Sequence, residues 1–315
     1  MLISICLGQY PVPLGELCKL LLSKIFPIEQ TWTNNMAIAV FNIRLPRVIL
    51  AVLVGCSLSA AGATYQGVFQ NPMASPDILG ATKGAAFGAA LAIFIGLSST
   101  GVTAFAFVFG LGCVGLVFLI GRLAPGKQIT NLILAGIMVG SLFSSGTSFI
   151  KLVADTSNQL PAITYWLMGS LSGATGDDVL FAVVPMAIGL IPLFLLRWRI
   201  NLLTLGDEQA RTMGVNTSLL RFIIIVCATL VTAAAVSVSG MIGWVGLVIP
   251  HMCRRIVGND FKVLLPASML VGGTFLLIVD DFSRNLLVTQ IPIGILTAFI
   301  GVPFFLWLIL KKEKV

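Results

Sequence analysis

Nine apolar runs, at about 48–68, 78–97, 101–121, 129–150, 179–196, 219–239, 242–257, 263–280 and 291–310, divide this chain of 315 residues. Most approach the roughly 20 residues that an α-helix needs to cross a bilayer. In hydrocarbon every backbone amide must be satisfied within the protein, so only helices and closed barrels can span. Barrel strands would alternate over short stretches, whereas these runs are long and unbroken. They predict an all-α polytopic membrane protein. Only 10% of the residues are charged, against about a quarter in soluble domains. The 32 glycines suit helices that pack by close backbone approach, since lipid gives them no hydrophobic drive to associate. The run at 242–257 is short and carries Pro250, which predicts a broken helix.

Ahead of the first run, MLISICL is apolar but too short to span. It reads as the tail of a helix whose beginning is missing, and it lacks the features of a signal peptide. Residues 12–31 predict one amphipathic interfacial helix, with Leu14, Leu17, Leu20, Leu21 and Ile25 on its apolar face. With that stub, nine spans imply ten in the intact protein. The chain reads as one transmembrane domain, 1–315, with a polar insertion at 201–221.

Charge sets the orientation. Arg122 and Lys127, then Arg197, Arg199, Arg211 and Arg221, then Arg254, Arg255 and Lys262, and finally Lys311, Lys312 and Lys314 fall on one side of the spans. The positive-inside rule makes that side cytoplasmic, and it explains the net charge of +7 without nucleic acid. The opposite side holds Asp155, Asp177, Asp178, Asp280 and Asp281, with three exceptions to the rule: Arg44, Arg47 and Arg284.

The insertion, NLLTLGDEQARTMGVNTSLLR, is the most soluble-looking stretch. Asp207 and Glu208 suit a helix N-terminus, Arg211 its C-terminal end, Gly214 a left-handed stop, and Asn216 the cap of the next helix. A helix of two turns is marginal alone in water. It either docks on a partner through Leu205, Ala210, Met213 and Val215 or packs on its own protein. A GxxxxGK pattern at 121–127 lacks the preceding strand and the following Ser or Thr of a phosphate loop, so it reads as a basic turn and no ATPase is expected here.

Ser141, Ser144, Ser145 and Ser148 recur at helical spacing along one face. Such a face either lines a wet passage or packs closely on another helix. Gly294, Thr297 and Gly301 form a similar small face in the last run. Lys83 is the one base set well inside an apolar context; it is either functional or snorkels to the interface. No acid occupies the middle of a predicted span, which argues against a proton-driven secondary transporter, the alternative reading. His251 next to a single nearby cysteine cannot close a zinc site, and the six cysteines form no CxxC pair, so no metal site is expected. No nucleophile, base and orienting group can be assembled, so the chain is not read as an enzyme.

Four stretches in order carry a resemblance: RLPRVILAVLVGCSLSAAGATYQGVFQNPMASPDILGATKGAA at 44–86, LTLGDEQARTMGVN at 203–216, SGMIGWVGLVIPHMCRR at 239–255 and IPIGILTAFIGVPFFLWLIL at 291–310. The chain resembles the FecCD-type permeases, membrane subunits of ABC importers for iron-siderophores, haem and cobalamin, with a molybdate or tungstate branch. The resemblance implies a ten-helix importer permease fold in the bacterial inner membrane, with the first helix largely missing here. It also implies a homodimer, two cytoplasmic ATP-binding subunits that hold the ATP and magnesium, and an extracytoplasmic substrate-binding protein. Its coupling motif falls on Leu205, Gly206, Asp207, Glu208, Ala210, Arg211, Met213 and Gly214. Arg44, Arg47 and Arg284 match positions that pair with carboxylates of the binding protein. The serine face matches a helix that lines the passage at the dimer interface. At Lys83 the family usually carries a small or uncharged polar residue, so a cation there would favour an anionic cargo.

Overall fold

The computed structural model describes residues 1–310 apart from 9, 24, 25, 28, 127 and 288, and of 128, 207, 208, 211, 308 and 309 it describes the backbone only. The elements are α1 (Leu2–Cys6), α2 (Leu14–Leu22), α3 (Asn34–Ile38), α4 (Leu45–Val68), α5 (Ala81–Phe94), α6 (Ser99–Leu123), α7 (Gln128–Val153) and α8 (Gln159–Leu167). They continue with α9 (Gly176–Leu195), α10 (Arg197–Thr204), α11 (Asp207–Thr212), α12 (Thr217–Ser239), α13 (Val245–Val257), α14 (Phe261–Asn285) and α15 (Ile293–Leu310). A π-helical turn, Ala39–Arg44, joins α3 to α4. The result is one apolar rod of 35 residues, and six helices among the described residues are long and apolar enough to cross a membrane.

Helix α4 is the hub. Every residue from Ser57 to Val68 is buried, and small side chains make that possible. A methyl group on Gly55 would stand 2.2 Å from the Gly272 carbonyl oxygen of α14, and one on Gly62 would stand 1.7 Å from the Gly246 oxygen of α13. Backbones therefore touch at both crossings, the close approach expected of helices in lipid. The α5–α6 pair is built the same way, with Gly84 and Gly88 against the Phe109 and Phe105 carbonyls.

Two of the nine predicted spans fold as helices well short of the roughly 20 residues a crossing needs. Helix α5 has 14 residues and α13 has 13, about 20 Å each at 1.5 Å per residue. Each is a half-span led in by non-helical backbone, 69–80 before α5 and 240–244 before α13. Pro72 and Pro76 interrupt the first lead-in, and positive φ at Gly80, Gly240 and Trp244 turns the chain at its end or at both sides of the second. Irregular backbone at depth is tolerated because protein covers it: a methyl on Gly240 would lie 2.3 Å from the Trp166 carbonyl. Pro250 lies inside the continuous helix α13, so the break expected in that run falls at 240–244, ahead of the proline and not at it.

The predicted helix over 12–31 is also shorter. Helix α2 covers Leu14–Leu22 and buries Leu17 and Leu20, while Leu14 is exposed and Ile25 lies outside the described residues. The short helices α8 and α10 have no counterpart in the expected elements.

Candidate functional site

The polar insertion folds as α10, α11 and the start of α12. Gly206 (φ 106°) and Gly214 (φ 77°) bracket α11, in the left-handed region that favours glycine. At its end the Val215 amide donates to the Ala210 carbonyl at 3.2 Å, the longer bond of a Schellman stop. Asn216 then caps α12 by accepting from the Leu219 amide at 3.0 Å. Ala210 is fully buried against the protein, whereas Leu205 and Met213 are 52% and 60% exposed. Thus α11 is anchored on one face and open on the other. The side chains of Asp207, Glu208 and Arg211 lie outside the described residues.

Polar ties join this segment to the spans. Asn201 of α10 donates through Nδ2 to Asp260 Oδ1 at 2.6 Å and accepts from the Phe261 amide at 2.9 Å. Gln70, just beyond α4, donates to the Leu203 carbonyl at 2.7 Å. Asp260 also caps α14, and the Lys262 amide together with Asn201 holds its carboxyl below the usual carboxylate range.

At the opposite end of α4 the three exceptional arginines are brought together, and all three are buried. Arg47 Nε donates to Asp280 Oδ1 at 2.8 Å and Nη1 to Gln290 at 2.6 Å. Arg284 Nε lies 3.1 Å from Asp280 Oδ2, and its Nη2 pairs with Asp281. Arg44 donates to the carbonyls of Ile5, Cys6 and Tyr10. The acids that face Arg47 and Arg284 thus belong to this chain, a pairing that charge counting on loops did not reveal. Burial demands it, because an unpaired guanidinium away from water is costly.

Along α7, Ser141, Ser144, Ser145 and Ser148 are all exposed, and Ser141 and Ser148 bond back to the carbonyls of Ile137 and Ser144. Lys83, on the first turn of α5, lies against this helix: a methyl on Gly140 would meet its Cδ at 2.9 Å and its Nζ at 3.3 Å. It is half-buried, and no hydrogen bond or ion pair holds its ammonium among the described residues. Sequence reasoning missed Asp77. It sits just ahead of α5, facing the Thr82 and Lys83 amides, with Oδ1 buried and unbonded. Asp77 lies in the non-helical lead-in to α5, beside a cavity of about 360 Å³ lined also by Leu58, Thr82, Met241 and Trp244. Its signal was Pro76 before it and Gly80 after it, which break the apolar run. Among the described residues no group of three or more His, Cys, Asp or Glu could hold a metal ion.

Comparison with known proteins decides the family. The model of the FecCD transport family matches residues 1–311. The chain belongs to the FecCD transport family. It is 39% identical over 312 residues to the molybdate import system permease protein MolB of Haemophilus influenzae, covering 99% of this chain and 92% of that one. It is 42% identical over 282 residues to a Helicobacter pylori protein described as a probable iron chelatin transport system permease, covering 90% and 85%. The hemin transport system permease protein HmuU of Yersinia pestis is 38% identical, with 87% and 83% covered. A solved structure of a metal-chelate type ABC transporter in an inward-facing conformation superposes with a TM-score of 0.88 at 39% identity, covering 98% and 94%.

As a FecCD-family protein the chain is a multi-pass membrane permease, a transport component of an ABC importer. The fold expected from the four quoted stretches is the one found, with two of its spans built as half-helices. Within the FecCD permease the insertion at 201–221 and the arginine cluster stand at opposite ends of α4.

Proposed function

We propose that this permease pairs with a second copy of itself to form the membrane core of an importer in the bacterial inner membrane. Two cytoplasmic subunits bind ATP with magnesium and dock on Leu205–Gly214; this chain has no ATPase site of its own. An extracytoplasmic binding protein docks over Arg44, Arg47 and Arg284. There a partner carboxylate would exchange with Asp281 on Arg284, at the rim of the buried network. Cargo passes along the serine face of α7 as the helices rock between outward and inward access.

The observation that carries this reading is α11, a short helix seated by Ala210, open at Leu205 and Met213, and tied through Asn201 and Gln70 to α14 and α4. A helix so placed can pass a push from a cytoplasmic partner to the spans. The relatives named for molybdate, iron chelatin and hemin transport bound the cargo to a metal oxyanion or a metal chelate. Lys83 beside the passage favours an anionic one.

The test is uptake into proteoliposomes holding the permease and its ATPase, with the binding protein outside, comparing molybdate, a ferric chelate, haem and cobalamin. ATP-dependent accumulation of one cargo that requires the binding protein is the expected result. Uptake driven by an ion gradient without ATP would overturn the reading.

A further inference from the structure

A second polar cavity, of about 360 Å³, opens on the cytoplasmic side behind α10. Its wall is made by the end of α4 and the residues after it (Gln66, Asn71), by Thr204 of α10, by Arg254 of α13, and by Asn259 ahead of α14. It lies apart from the serine face and from the cavity at Asp77, and the transport reading assigns it nothing.

Arg254 is its focus. Buried Gln66 donates to the Leu247 carbonyl at 3.3 Å, which turns its oxygen toward Arg254 Nη1 and fixes the guanidinium in place. Among the described residues that is the one hydrogen bond of a group with five N–H donors. Arg254 is half-buried and forms no ion pair among the described residues. Arg44, Arg47 and Arg284, at the other end of α4, by contrast have carboxylates or several carbonyls around them.

The rest of the lining offers donors too. Asn71 Oδ1 is taken by the Met73 amide at 2.9 Å, which leaves its NH₂ group for the cavity. Asn259 makes no side-chain hydrogen bond among the described residues. Among the described residues no carboxylate lines the space. The nearest in sequence, Asp260, is not among the lining residues, and its Oδ1 is taken by Asn201 and the Lys262 amide. A fixed guanidinium with free donors, flanked by amide NH₂ groups and by no acid among the described residues, matches the surface of a tetrahedral oxyanion. At about 30 Å³ per water, the cavity holds such an anion with several waters.

We propose that this pocket binds a small tetrahedral oxyanion from the cytoplasm. An anion held between Arg254, Asn71 and Asn259 bridges the ends of α13, α4 and α14. These ends must shift relative to one another when the spans rock, and Gln70, next to Asn71, is tied to the coupling segment at Leu203. Occupancy therefore favours one arrangement and slows the ATP-driven cycle. The anion is either an oxyanion cargo after release or ordinary cellular phosphate.

The experiment is equilibrium dialysis of the purified permease–ATPase complex, without nucleotide or binding protein, against labelled molybdate, sulfate and phosphate. The expected result is saturable binding of at least one of them, one site per permease chain. Arg254→Gln should weaken it about tenfold or more, the loss expected for a hydrogen-bonded charge. Asn259→Ala, at the exposed rim, should weaken it several-fold while the complex assembles normally. Arg255→Gln, which alters the exposed neighbouring arginine, should leave it unchanged. Tighter binding of molybdate identifies released cargo as the ligand, and tighter binding of phosphate identifies the cellular anion; either upholds the site. Absence of saturable binding, or equal losses in Arg255→Gln and Arg254→Gln, overturns it.

Discussion

Asn201 and Asp260 are joined by a 2.6 Å hydrogen bond that ties α10 to the cap of α14. Through the same side chain Asn201 also receives the Phe261 amide, so the proposed coupling segment and the start of a spanning helix move together. Asn201→Ala removes both bonds, worth about 1 kcal/mol each in net stability. The expected outcome is a several-fold loss of uptake with ATP hydrolysis retained, measured on the same proteoliposomes.

The pH dependence of that tie follows from Asp260. Its folded pKa is depressed, so its contribution is fully present above the unfolded value, about 3.9, and is lost only as pH falls through the lower folded value. Coupling between uptake and hydrolysis should therefore stay flat from about pH 5 to 8. A titration of the uptake-to-hydrolysis ratio checks this, and Asp260→Asn should lower the ratio across that whole range.

Gly206 and Gly214 are predicted to be sensitive for backbone reasons. A methyl on Gly214 would meet nothing within 4 Å, yet its φ is 77°. Gly214→Val should cost about 1–3 kcal/mol of local strain and unseat α11, uncoupling hydrolysis from uptake. Gly214→Asn should be far milder, because Asn tolerates the left-handed region. Equal effects of the two would point to a steric cause instead.

How much of this was legible in the sequence depends on the kind of signal. The α11 motif was, because glycine, acid, glycine and Asn216 are local instructions for starting and stopping helices. The long spans were, because apolar length is sufficient for them. The half-spans α5 and α13 were legible only in part: the run at 242–257 is short and Pro72 and Pro76 precede α5, but backbone packing decides where each helix begins. The pairing of Arg47 and Arg284 with Asp280 was not legible: residues 47 and 280 are brought together by the Gly55–Gly272 crossing, which no local pattern encodes.

That pairing predicts a stability effect distinct from docking. Asp280 is fully buried between Arg47 and Arg284, so Asp280→Ala leaves two guanidiniums without their shared acid and should cost about 3–5 kcal/mol. A clear drop in the unfolding temperature of the detergent-purified permease is expected. Asp281→Asn, at the rim, should leave that temperature nearly unchanged and alter salt-sensitive affinity for the binding protein.

The helix crossings should be the least tolerant positions. Gly62→Val places its side chain on the Gly246 carbonyl, where even a methyl carbon would be 1.7 Å away. Overpacking of about 1–3 kcal/mol is usual where side chains can yield; here backbone faces backbone, so loss of folded protein in the membrane is expected. Gly112→Ala in α6, with nothing within 4 Å of the added carbon, is the control that should express normally.

The most direct measurement of the central claim is site-specific photocrosslinking from position 213 in the co-purified permease and ATPase. Met213 is exposed on the open side of α11. A crosslinking residue there should join the permease to the ATPase subunit in high yield, whereas one at Leu152, exposed at the other end of α7, should not. Absence of the ATPase crosslink from position 213 in an intact complex would contradict the account.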